Sequence, residues 1–100
     1  FGGSPVAMAA AIATLHVLEE EDLVNAAATK GEWLLGQLRG LVGRFPGVLK
    51  EARGRGLMLG LEFHSDEIGY AFARGVFSRG ILLSGTLVNS RVLRVEPPLT

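Results

Sequence analysis

The sequence predicts an α/β fold in which helices cover one face of a small, mostly antiparallel sheet. Three observations lead there. Apolar residues recur at helical spacing in three separate stretches, strict alternation runs through LMLGLEF (57–63), and Gly or Pro punctuates the changes of period. The resulting order is α α β β α β β, without internal repeats or low-complexity tracts, and it sets helices against a sheet.

The first helix opens from a Gly-Gly turn. Ser4 is expected to accept a hydrogen bond from a first-turn N–H, and Pro5 occupies the position where a missing N–H costs nothing. From Val6 to Leu18 only Thr14 and His16 are polar, so the helix has no wide polar face and is expected to be buried on most sides. Its many alanines make it thin, as a helix running between domains or subunits needs. A chain of 100 residues is too small to cover such a helix alone.

Asp22 is the expected N-cap of a second, amphipathic helix from about Leu23 to Val42, with Leu23, Ala27, Leu34, Leu38, Leu41 and Phe45 at helical spacing. Gly31, Gly36 and Gly40 each weaken it by up to ~1 kcal/mol relative to Ala, so tertiary packing must hold it. Gly43 and Pro46 end it. Val48–Arg53 reads as a short strand, and Gly54 and Gly56 predict a bend or bulge before the strand Leu57–Phe63. In that strand Leu57, Leu59, Leu61 and Phe63 share one face, and Gly60 on the other leaves room for a crossing helix. Ser65 or Asp66 caps a third helix with a stripe of Ile68, Phe72, Val76 and Phe77, ended by Gly80 at C′. Ile81–Ser84 and Arg91–Val95 are the last two strands.

Lys and Arg (10) balance Asp and Glu (10), which gives no general attraction to nucleic acid or anionic lipid. The longest uncharged run is interrupted by Gly, Pro and His, so no membrane span is expected. Without cysteine there are no disulfides or thiolate metal sites, a composition that suits a cytoplasmic protein. The chain starts with Phe and stops just after Pro97-Pro98, and so looks cut from something longer.

The catalytic inventory is thin. His16 reads as a buried structural histidine and His64 as a surface one, with no HxxxH or HExxH spacing, so no metal site is expected. No serine sits in a GxSxG frame. Gly54-Arg55-Gly56 lacks the third glycine of a dinucleotide fingerprint. Phe1-Gly2-Gly3 before a helix N-terminus is either an ordinary turn or a place where free N–H groups favour a phosphate or carboxylate.

Three blocks, FGGSP with the Ala-rich helix behind it, ARGRGLMLGLEF and LRVEPPL, resemble the C-terminal portion of class III pyridoxal-phosphate-dependent aminotransferases, in that family's order and spacing. The stretches DEIGYAFARGVF and GTLVNSRVLRVEPPLT look closest to the putrescine (diamine) branch, then to ornithine and acetylornithine aminotransferases. The resemblance implies the small C-terminal domain of a fold-type-I transferase: 1–22 as cofactor-loop remnant and interdomain helix, 23–100 as the domain itself, with the family's final helix lying beyond Thr100.

In such enzymes a large domain carries the Schiff-base lysine, and neither Lys30 nor Lys50 matches its position. This chain is therefore expected to hold no catalytic residue and to be inactive alone. The resemblance implies that Phe1, Gly2 and Gly3 belong to a loop serving the cofactor phosphate of the neighbouring subunit in a dimer, with Ser4 where the family usually has Asn. It implies that Arg94 points into the active site, toward a substrate carboxylate or a large-domain glutamate. The reaction implied is amino transfer from a diamine or ω-amino acid to a 2-oxo acid such as 2-oxoglutarate. Aminomutase or decarboxylase chemistry on the same scaffold, and a non-catalytic α/β module that dimerises through its first helix, are the alternatives.

Overall fold

A computed structural model describes the whole chain, Phe1–Thr100. Helix α1 (Pro5–Glu20) leads into α2 (Leu23–Arg44), and the hairpin β1 (Leu49–Arg55) and β2 (Met58–Phe63) follows, then α3 (Asp66–Phe77), β3 (Ser84–Gly85) and β4 (Val92–Val95). The four strands form one antiparallel sheet in the order β1-β2-β4-β3. Alternation turns Leu59, Leu61 and Phe63 of β2 to the same side as Ala52 and Leu93, where Leu38 of α2 completes the buried cluster. Phe72 of α3 meets Phe63 with ring centroids 5.0 Å apart. Helices thus cover one sheet face, and the face bearing Arg53, Gly60 and Arg94 lies open.

The chain reverses within the two-residue loop Gly56-Leu57, with Gly56 at φ 56°, so the bend or bulge expected at Gly54 and Gly56 is a bend, the tight end of a hairpin. The sheet irregularity falls instead between Leu49 and Glu51. Gly31 is buried where α2 rests on that hairpin end, and a Cβ there would lie 2.1 Å from the Gly56 carbonyl oxygen. The close helix approach expected at Gly60 is therefore made at Gly31: Gly60 faces away from the helices, and a Cβ there would first meet Val92 Cγ1 at 3.4 Å.

Helix α3 starts as expected, with the Ser65 hydroxyl accepting from the Ile68 N–H at 3.4 Å. It ends in a Schellman arrangement: Gly80, at φ 83°, donates to Phe77 O and Ile81 donates to Val76 O. Phe77 itself is exposed and leaves the buried stripe. The strand expected over Ile81–Ser84 shrinks to Ser84–Gly85, because only these residues pair with β4.

Helix α1 is left uncovered, as its apolar surface and the shortness of the chain predict. It contains no buried residue, and among the other elements it touches only α2. His16 is consequently exposed, not buried. The Ser4 side chain makes no capping bond, and Asp22, at φ 49°, accepts from Asn25 Nδ2 at 2.8 Å and caps no backbone N–H. Val6, Met8, Ile12 and Leu15 stand in water because the small sheet is already covered by α2 and α3. No helix is long and apolar enough to cross a membrane.

Candidate functional site

Strand register sets out the open face. Arg53 pairs with Gly60, Gly60 with Arg94, and Arg94 with Ser84, so these residues form one row across all four strands. Glycine at the centre of that row places no side chain of its own between the two arginines, and Val92 Cγ1 lies 3.4 Å from where its Cβ would stand. One strand pair along, Glu62 lies beside Glu51 and Val92.

Two arginines on this face have opposite fates. Glu62 is only 8% exposed and both its oxygens are taken, Oε1 by Lys50 Nζ at 2.7 Å and Oε2 by Arg53 NH1 at 2.6 Å. Arg53 also reaches Glu51 at 2.7 Å, which closes the network. The hydrogen bond from Lys50, then that from Arg53, holds the Glu62 carboxyl below its ordinary value, while the bond to Glu62 chiefly raises Arg53. This cluster escaped the sequence reading, although alternation places Glu62 opposite the core residues of its strand. Arg94, in contrast, donates Nε to the Gly85 carbonyl at 3.1 Å and meets Glu96 only at 3.5 Å. Its terminal nitrogens make no hydrogen bond within the chain. Arg94 borders an open cleft with Gly85, Thr86 and Leu87.

The lowered Glu62 value has a consequence for acid stability. A carboxyl that titrates lower when folded contributes stability above its unfolded value, near 4.5, and that contribution is lost as pH falls through the folded value. The urea midpoint of the chain should therefore fall on acidification below about pH 4.5, and Glu62→Gln should flatten that decline while lowering the midpoint at pH 7. A decline of the same steepness in both proteins would contradict the assignment.

Phe1, Gly2 and Gly3 form an exposed turn ahead of α1, with Gly3 at φ 80° and the Ser4 N–H donating to Phe1 O at 3.3 Å. Around Gly2 and Gly3 the space is open. Because Ser4 supplies no side-chain cap, no side chain competes with an anion for the first-turn N–H groups. The structure does not bring this turn to Arg94, which lies on β4, an element α1 does not touch.

The sheet thus carries helices on one face and, on the other, Arg94 at the edge of an open cleft. The profile of the family described as Aminotransferase class-III matches residues 1–100, and the chain belongs to that family. It is 51% identical, over its whole length, to the putrescine aminotransferase of Pectobacterium atrosepticum, covering 21% of that protein. Among solved structures it is similar to the ornithine aminotransferase of Toxoplasma gondii, with TM-score 0.88 and 40% identity over 99% of this chain and 23% of that one. A second structure of that enzyme, crystallized in the presence of oxidized glutathione, has PLP at partial occupancy in its active site. The acetylornithine aminotransferase of Elizabethkingia anophelis gives TM-score 0.90 at 25% identity, over 99% of this chain and 26% of that one. The chain thus spans between a fifth and about a quarter of the length of these relatives.

Pyridoxal phosphate is the cofactor of this family. The residues present would hold at most its phosphate. The open Gly2-Gly3 turn and the uncapped start of α1 suit a phosphate, whereas Lys50 is bound to Glu62 and Lys30 stands exposed on α2.

Proposed function

We propose that this chain is the C-terminal part of an aminotransferase that moves an amino group from a diamine or ω-amino acid, of the putrescine or ornithine type, to a 2-oxo acid such as 2-oxoglutarate. The observation that carries this reading is Arg94: an arginine held at Nε, its terminal nitrogens in no hydrogen bond and meeting only Glu96 at 3.5 Å, on the sheet face that the chain's own helices leave open. A planar fork of that kind suits a bidentate grip on a carboxylate. The likeness to the Pectobacterium putrescine aminotransferase supports the choice of donor.

In this reading 1–22 comprises the cofactor loop and interdomain helix, and 23–100 is the small domain. Bound pyridoxal phosphate supplies the electron sink, and Phe1, Gly2 and Gly3 hold its phosphate from the neighbouring subunit of a cytoplasmic homo-oligomer. The exposed apolar surface of α1 supports burial against a large domain or a second subunit. It equally supports the second reading, a non-catalytic module dimerising through α1. An amine-donor screen of the full-length protein with 2-oxoglutarate separates the two. Turnover with putrescine, cadaverine or ornithine is expected, and failure of all three would remove the subfamily reading.

A further inference from the structure

Arg94 can be a selective grip only if something holds its long side chain before the substrate arrives. Its sole hydrogen bond within the chain runs from Nε to the Gly85 carbonyl. Gly85 belongs to a strand of only two residues that pairs with β4, with Leu83 packed on the core ahead of it and the exposed Leu87 and Val88 after it. On that exposed side the loop is stapled by side-chain hydrogen bonds. The Thr86 hydroxyl donates to the Asn89 carbonyl at 2.6 Å and accepts from the Asn89 N–H at 3.1 Å. Asn89 Oδ1 accepts from the Arg91 N–H at 3.0 Å, which ties the same loop to the start of β4.

We propose that Thr86 is a positioning residue for Arg94: its paired bonds to Asn89 hold the 86–89 loop, the loop holds the Gly85 carbonyl, and that carbonyl fixes the guanidinium at Nε with its terminal edge outward. A long arginine side chain loses rotamer entropy on binding, and fixing it at Nε removes part of that loss before the carboxylate arrives. Neither terminal nitrogen is hydrogen-bonded and NH1 meets Glu96 only at 3.5 Å, so a carboxylate that displaces Glu96 can take two parallel bonds from the fork. This inference rests on the reading that Arg94 meets the 2-oxo acid.

The test uses the full-length protein with 2-oxoglutarate as the probe. Thr86→Val should raise the KM for 2-oxoglutarate ~3- to 10-fold, with kcat and the amine half-reaction nearly unchanged, and Thr86→Ser should restore the original KM. In an Arg94→Lys background, which lacks the Nε donor, Thr86→Val should add little. A purely structural role would instead add its full effect there and slow both half-reactions. Either of those results, or an unchanged KM in Thr86→Val while Arg94→Lys raises it, overturns the positioning role alone. If Arg94→Lys leaves the KM unchanged, the underlying reading of Arg94 fails with it.

Discussion

Gly31→Ala should destabilise the chain by roughly 2–4 kcal/mol, whereas Gly36→Ala, five residues along the same helix, should stabilise it by about 0.5–1 kcal/mol. Both positions are glycines inside α2, where propensity alone favours alanine. At Gly31 the added methyl carbon would stand 2.1 Å from Gly56 O and 2.3 Å from Gly56 C, backbone atoms of a two-residue turn that cannot rotate aside. At Gly36 nothing lies within 4 Å. The hairpin end would have to lift from α2, disturbing the contact that seats β1 and β2 on the helix. Urea unfolding of the two variants beside the parent chain measures the difference. Equal shifts in the two variants would mean that α2 and the hairpin do not meet at this point.

Arg94→Ala or Arg94→Lys in the full-length protein should raise the KM for the 2-oxo acid at least ~10-fold, equivalent to ~1.4 kcal/mol, and leave the diamine half-reaction nearly unchanged. The asymmetry follows from charge. A carboxylate gains two charge-assisted bonds from the guanidinium fork, while a cationic amine gains nothing from it. Lysine keeps the charge but loses both the fork and the Nε bond to Gly85, so it should not substitute. Loss of the same size in both half-reactions, or in neither, would return Arg94 to a structural ion pair with Glu96.

What could be read beforehand divides along a physical line. Leu59, Leu61 and Phe63 were legible as a buried set because a strand has a period of two, and all three are buried, whereas Leu57, read with them, is buried in the hairpin turn. Gly80 was legible as a helix stop because its Schellman bonds are local. The role of Gly31 was not, since its partner Gly56 is remote in sequence and helix propensity says only that glycine is weak there. The Lys50–Glu62–Arg53 cluster depends on the pairing of β1 with β2, which composition does not reveal. Ile81–Leu83 has strand-like residues but no strand opposite, so propensity overreached.

Of the site, the resemblance singled out Arg94, and strand period put it on a face opposite Leu93. That this face is the open one, and that Gly60 sits between Arg53 and Arg94, required the register. The Gly85 carbonyl and the Thr86 bonds that steady the arginine were out of reach, because they are set by loop geometry. Helix α1 was read correctly as too apolar for so small a chain, yet its expected burial was not found within these 100 residues.

The most direct measurement is a crystal structure of the full-length protein with 2-oxoglutarate bound. The Arg94 account predicts a carboxylate of the oxo acid within about 3 Å of both terminal nitrogens of Arg94, with Nε still on the Gly85 carbonyl. A carboxylate held by other residues, with Arg94 remaining beside Glu96, would contradict it.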